Sequence, residues 1–94
     1  MKAAIMATIK LLSARTVATI APGYHADGGN LFLRVLETGS RSWFFRYKKA
    51  GKQISLGLGA THSRSLAQAR EVAQQMRTAI LNGVDPASVL KQGF

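Results

Sequence analysis

The chain has 94 residues, enough for one domain with a compact core, and thirteen Lys and Arg stand against four Asp and Glu for a net charge of +9. This charge on a small domain favours a polyanionic partner: DNA, RNA or an acidic membrane surface. With no cysteine and two isolated histidines, His25 and His62, disulfides and thiolate sites are excluded, and we expect no metal and no cofactor.

The first residues, MKAAIMATIKLLSA, resemble a targeting peptide only faintly, because Lys10 interrupts the apolar run that begins at Ala3. No apolar run approaches the roughly 20 residues that a membrane span requires, so no membrane partner is expected. We predict a partly disordered leader over residues 1–12, a sheet-plus-helix domain over 13–86, and a tail or linker over 87–94. A cytoplasmic location is expected.

The segment LSARTVATIAPG predicts a short helix or arm with Ser13 as its N-cap, ended by Pro22-Gly23. HADGGN then predicts a turn, since Asp-Gly-Gly supplies residues that accept positive φ. From Asn30 the hydrophobic period becomes two, which predicts three strands in LFLRVL, SWFFRYKK and QISLGL. Short glycine-bearing loops join them, so the sheet is predicted to be an antiparallel meander.

The segment SLAQAREVAQQMRTAILNG predicts the main helix. Ser65 and Gln68 form a capping-box pattern, and Gly83 stands at the C-terminal cap. One stripe of the helix is apolar and comprises Leu66, Ala69, Ala73, Met76 and Ile80. Arg70 and Arg77 lie off that stripe, and a solvated helix face is the favoured interpretation for them.

The fold class predicted from these elements is α+β: a three-stranded antiparallel β-meander packed against one C-terminal α-helix, with a short N-terminal helix or arm. The three apolar rows of the sheet should pack under the helix; they are Leu31/Leu33/Val35, Trp43/Phe45/Tyr47 and Ile54/Leu56/Leu58. The opposite face of the sheet would then carry Phe32 and Phe44 among polar and basic side chains. Residues 30–59 hold six of the thirteen basic residues and one acid, Glu37.

A solvated sheet face usually mixes charges of both signs, so this bias favours a face that binds DNA. Arginine pairs with guanine and glutamine with adenine in the major groove, whereas lysines and turn residues meet phosphates. The candidate DNA-binding residues are Arg34, Arg41, Arg46, Lys48, Lys49, Lys52, Gln53 and Ser55. Two alternatives stay open: a small basic RNA-binding protein, and a protein-interaction module for an acidic partner.

The order and spacing of several motifs resemble the N-terminal arm-type DNA-binding domain of prophage and genomic-island tyrosine integrases. These motifs are DGG at 27–29, LFLRV at 31–35, Gly39, WFFRY at 43–47, Gly51, LG at 56–57, SLAQAR at 65–70 and NGVDP at 82–86. The sequence departs from the family pattern at Asn30, where a third glycine is common, and in ATHSR before the helix.

The resemblance implies sequence-specific binding of double-stranded DNA at arm-type sites, as the non-catalytic N-terminal module of a site-specific tyrosine recombinase. It also implies that other integrase subunits or domains are partners, and that the protein is nucleoid-associated when bound to DNA. Recombination needs an activated tyrosine among Arg and His on a large helical catalytic domain. Tyr24 and Tyr47 have no such setting, so the chain itself is not expected to be an enzyme.

Overall fold

The computed structural model describes residues 11–92, so residues 1–10 of the predicted leader and residues 93–94 of the predicted tail lie outside the described part. The elements in chain order are α1 (Ala14–Thr19), β1 (Gly23–Gly28), β2 (Leu31–Val35), β3 (Arg41–Lys49), β4 (Lys52–Ala60), α2 (Leu66–Leu81) and a 3-10 helix (Pro86–Gln92). The α+β class is confirmed. Within the described residues, no helix is long and apolar enough to cross a membrane.

The sheet has four antiparallel strands in the order β1-β2-β3-β4, one more than predicted. The additional strand is β1, which includes part of the segment predicted as a turn. The turn is present, but it begins only at the end of the strand: Gly28, the last residue of β1, and the turn residues Gly29 and Asn30 all have positive φ. The sequence of β1 is mostly small or polar, so it lacks the apolar alternation that marks a strand; its pairing with β2 holds it in place.

Asn30 adopts a left-handed φ of 73°, which asparagine accepts more readily than most residues. Its side-chain amide donates to the Arg46 carbonyl at 2.8 Å, and its own carbonyl accepts from the Arg46 N–H at 2.9 Å. Asparagine at this position therefore adds a side-chain bond between the β1–β2 turn and β3 that glycine cannot make.

The core lies between the sheet and α2, as predicted. Its buried strand residues are Leu31, Leu33, Val35, Trp43, Phe45 and Leu58, and its buried α2 residues are Ala69, Val72, Ala73 and Met76. Ile80 is 41% exposed, so the buried stripe of α2 stops one turn earlier than predicted. The Trp43 indole N–H donates to the Arg64 carbonyl at 2.8 Å, which satisfies its buried polar atom.

The predicted helix caps are confirmed. Ser65 and Gln68 form a reciprocal capping box at the start of α2, and Ser13 caps α1. At the end of α2, Gly83 has a φ of 71°, its N–H bonds to the Ile80 carbonyl, and the next N–H bonds to the Ala79 carbonyl. This is a Schellman motif, which satisfies carbonyls that the helix leaves unpaired. The 3-10 helix that follows buries Val89 in the same core.

The β3–β4 hairpin turns through Ala50 and Gly51, with φ values of 52° and 78°. Both central residues of such a turn need positive φ, which costs an L-residue such as Ala50 about 1–2 kcal/mol. Ala50→Gly is expected to raise the free energy of unfolding by about 0.5–1 kcal/mol, after the greater chain entropy of glycine is subtracted. Urea denaturation measures the change.

The matched control for this prediction is the same change at a helical position. Ala18→Gly, at an exposed position of α1, is expected to destabilise the chain by about 0.5–1 kcal/mol. Opposite signs for the two alanine-to-glycine changes would confirm that the conformation of Ala50 is strained. A loss of stability in Ala50→Gly would contradict it.

Candidate nucleic-acid interface

The outer face of the sheet is the face that points away from α2. Side chains alternate along each strand, so the neighbours of the buried residues lie on it. The outer face comprises Tyr24 and Ala26 of β1, Phe32 and Arg34 of β2, Ser42, Phe44, Arg46 and Lys48 of β3, and Gln53, Ser55 and Gly57 of β4. The predicted separation of apolar and basic side chains is therefore present, because Arg34 and Arg46 both lie opposite the core.

Arg46 lies over aromatic rings on the outer face. Its guanidinium carbon is 5.0 Å from the ring centroid of Phe32 and 5.3 Å from that of Tyr24. These distances are within the range of a cation–π interaction. Gln53 is a diagonal neighbour on β4. Its amide is assigned the orientation in which the oxygen faces the Arg46 donors, and in that orientation the oxygen accepts a hydrogen bond from Arg46 Nε at 2.7 Å and another from a terminal guanidinium nitrogen. Phe32 thus packs under an arginine side chain.

Arg34 occupies the neighbouring part of the outer face and is exposed. Its guanidinium carbon is 5.6 Å from the Tyr24 ring centroid, so one tyrosine contacts both arginines. Tyr24 is itself 57% exposed. The three side chains form a continuous basic and aromatic surface across β1, β2 and β3.

The β3–β4 hairpin extends the basic surface to the edge of the sheet. Lys49 pairs with Lys52 across the turn, and Lys48 pairs with Gln53. All three lysines are exposed. Ser55 is exposed opposite Arg46. Seven of the eight candidate residues are thus on the outer face or at the adjoining hairpin tip.

Arg41 is the candidate that the structure places apart from the others. It begins β3 on the same side as Trp43, pairs with Val35, and is half-buried. Its guanidinium donates to the Ile20 carbonyl at the end of α1, at 3.1 Å. The side chain therefore links α1 to the sheet.

The acidic residues lie away from the outer face. Asp27 is buried, Glu37 is in the β2–β3 loop, Glu71 is on α2, and Asp85 follows α2. The outer face consequently carries positive charge with no carboxylate among its described residues. Such a face produces a local positive potential that attracts a polyanion.

Tyr24 is the functional candidate that sequence reasoning missed. It lies on β1, the strand that was not predicted, between the predicted end of the helix at Pro22-Gly23 and the predicted turn that begins at His25. The available signal was the alternation of Tyr24 and Ala26 with His25 and Asp27, which is too short and too polar to indicate a strand by itself.

Arg70 and Arg77 are structural, so the interpretation of a solvated helix face was wrong. Arg70 forms a bidentate pair with buried Asp27: Nε donates to Oδ2 at 2.8 Å and a terminal nitrogen donates to Oδ1 at 2.9 Å. The same nitrogen of Arg70 donates to the Leu12 carbonyl at 2.7 Å. Arg77 donates to the Gly29 carbonyl at 2.7 Å. These contacts fasten α2 to the β1–β2 turn and to the chain before α1.

Together, a small sheet backed by one helix and a cationic, acid-free outer face define a nucleic-acid-binding domain. Comparison with known families agrees. The model of the arm DNA-binding domain matches residues 6–93, and the chain belongs to this family, the N-terminal arm-type DNA-binding domains of integrases. The domain binds DNA.

The chain is similar to several curated integrases. It is 34% identical over 87 residues to the integrase of Enterobacteria phage P4, a match that covers 86% of this chain and 20% of that protein. It is 37% identical over 65 residues to the integrase of Shigella phage Sf6 and to the prophage integrase IntS of Escherichia coli K12, covering 69% of this chain and 17% of each. The chain thus spans about a fifth of the length of these relatives.

Proposed function

We propose that the chain binds double-stranded DNA sequence-specifically, at arm-type sites, through the outer face of its sheet. The observation that carries this proposal is the separation of charge: Arg34, Arg46 and Lys48 share a face without a carboxylate, while buried Asp27 is neutralised by Arg70. A small sheet fits the major groove, about 12 Å wide, where base edges are accessible.

We propose different DNA contacts for the side chains in the middle of the sheet and for those at the hairpin. Arg34 and Arg46 lie near the middle of the sheet, which supports a role for them in contacting base edges. Lys48, Lys49 and Lys52 surround the hairpin and, with Ser55, are placed to meet phosphates, which position the domain without reading sequence. Arg41 contributes least to this surface because the Ile20 carbonyl already holds it.

The outer face suits a duplex better than a single strand. Single-stranded nucleic acid is bound by stacking its bases on exposed aromatic rings. Here guanidinium groups lie over Phe32 and Tyr24, so the rings support cations instead of offering bare platforms. An RNA-binding protein, the alternative left open by the sequence, predicts the opposite preference.

The relatives are named integrases, and we propose that this domain serves as the non-catalytic module of a site-specific tyrosine recombinase. In such a protein the catalytic tyrosine belongs to another domain. Tyr47 of this chain lies on the helix side of the sheet, 5.9 Å from the Phe45 ring, where it packs against the core. Other integrase domains or subunits are the proposed protein partners.

The proposal is tested by measuring affinity for duplex and single-stranded DNA of the same sequence at matched salt. We expect the duplex to bind more tightly. On a preferred duplex, Arg46→Ala is expected to cost about 1–3 kcal/mol relative to a random duplex, whereas Lys52→Ala should weaken both duplexes alike. Unchanged affinity in both variants would show that DNA binds another surface, and preference for the single strand would favour the RNA-type alternative.

A further inference from the structure

Part of the Arg46 guanidinium is already occupied before any ligand binds. Gln53 accepts from Nε and from one terminal nitrogen, which uses one edge of the planar group. Arginine has five N–H donors, so three remain. Within residues 11–92 these three have no hydrogen-bond partner, and they include the pair at the end of the side chain.

The rings restrict where that free end can point. Phe32 and Tyr24 both lie within 5.3 Å of the guanidinium carbon. Ala26 pairs with Phe32 in the sheet and follows Tyr24 on the outer face of β1. Its side chain is only a methyl group, which leaves space above Phe32. The long side chains of Tyr24 and Arg46 can therefore meet diagonally above Phe32. Arg46 is held by two rings and one amide, so little conformational freedom is left to lose on binding.

The same hydrogen bonds from Arg46 also occupy the Gln53 amide oxygen. A bidentate contact with adenine requires the amide oxygen to accept from N6 while the amide nitrogen donates to N7. The Gln53 oxygen already accepts two hydrogen bonds from Arg46. Reading adenine would break both bonds and release Arg46 from its position.

We infer that Arg46 is the residue that reads guanine, through the two N–H groups at the end of its guanidinium, and that Gln53, Tyr24 and Phe32 are positioning residues. This inference rests on the proposed function of the outer face. Guanine presents O6 and N7 as paired acceptors in the major groove, which matches the free end of Arg46. Gln53 thereby acquires a different role from the adenine contact expected from its residue type.

The test is a selection of duplexes from a random-sequence pool, with the base preference read at each position. The wild-type chain is expected to prefer guanine at one position at least. Arg46→Ala should reduce that preference by about 5- to 150-fold. Gln53→Ala and Tyr24→Leu should relax the same position by about 3- to 10-fold. Lys52→Ala, which also removes one charge, should leave the preference intact.

Substitution of 7-deazaguanine at the selected position removes the N7 acceptor. It should weaken binding by the wild-type chain and have little effect on Arg46→Ala. All four side chains lie on the outer face or at its hairpin, and thermal unfolding of each variant checks that the fold is retained. A shift in base preference at one position is a readout that a purely structural role does not produce.

Three results would overturn the inference. Retention of the guanine preference in Arg46→Ala would show that another residue reads it, while duplex binding itself would stand. Loss of an adenine preference in Gln53→Ala, with the guanine preference unchanged, would assign Gln53 to a base. A wild-type chain that selects no sequence would remove the proposed sequence-specific function together with this inference.

Discussion

Replacing Arg70 by alanine is expected to destabilise the domain by about 3–5 kcal/mol, because the substitution leaves the Asp27 carboxylate buried without its cation. Asp27 is 2% exposed and Arg70 28%. For a domain of this size the loss corresponds to a fall in Tm of at least about 12 °C. Thermal and urea unfolding measure it. Arg15→Ala, at an exposed position of α1, is the matched control and should change stability by less than about 0.5 kcal/mol.

A double substitution separates the two contributions to this loss of stability, the unpaired buried charge and the lost packing of Arg70. In Asp27→Asn with Arg70→Met no charge remains in the site, and the amide oxygen introduced at position 27 can still accept from the Leu12 N–H, as Asp27 Oδ1 does at 2.9 Å. We expect the double variant to be more stable than Arg70→Met alone. A double variant no more stable than the single one would show that the contacts of Arg70, not the unpaired charge, dominate.

Arg70 should keep its positive charge over the pH range used for binding experiments. Hydrogen bonds to Asp27 raise the pKa of Arg70 above its ordinary value, against the opposing effect of desolvation. A raised pKa means that the stabilisation from charged Arg70 is complete below the ordinary arginine pKa and is lost only as pH rises through the raised one. Arg70 therefore stays charged, and weaker DNA binding by Arg70 variants should follow the folded fraction.

The affinity for duplex DNA is expected to fall by about 250- to 1,000-fold between 50 and 200 mM salt. Binding to phosphates releases condensed counterions, and neutralising about five phosphates gives a slope of log K against log salt near −4 to −5. Five cations of the outer face and its hairpin supply this number: Lys48, Lys49 and Lys52 by contacting phosphates, and Arg34 and Arg46 by the positive charge that they bring between the phosphates when they reach base edges. Fluorescence anisotropy over a salt series measures the slope.

Single charge removals test which surface produces the slope. Lys48→Gln or Lys52→Gln should each make it shallower by about 0.9. Lys91→Gln is the matched control, since Lys91 is exposed on the 3-10 helix that packs against α2, on the other side of the sheet. A slope near zero would contradict the DNA interface, and an effect of Lys91 equal to that of Lys48 would place DNA on the helix side.

Local patterns predicted much of the fold because each depends on residues close in the chain. Period-two alternation in β2, β3 and β4 placed Leu33, Trp43 and Phe45 inward and Arg46 outward, and burial confirms this. The capping box at Ser65 and the glycine at the end of α2 were equally local signals. The basic bias of the outer face followed from the same alternation, so the candidate surface was predictable before any contact was known.

Contacts between distant residues decided what local patterns missed. The residues of β1 show little strand preference of their own. They form a strand because they pair with the free edge of β2. The helix pattern alone predicts a solvated side chain for Arg70. The fold brings Asp27, 43 positions earlier in the chain, within hydrogen-bond distance of it. Arg41 likewise becomes a link to α1 only when Ile20 lies within reach.

By itself, the sequence determined α1, the strands β2 to β4, α2, the two faces of the sheet and the sign of the charge on the exposed face. These depend on residue type and on the two-residue and 3.6-residue periods of strand and helix. Only the tertiary structure decided that Tyr24 contacts Arg34 and Arg46, that Gln53 holds Arg46, and that Arg70 neutralises Asp27. Each of these contacts joins residues from different elements, and their distance depends on how the whole chain packs.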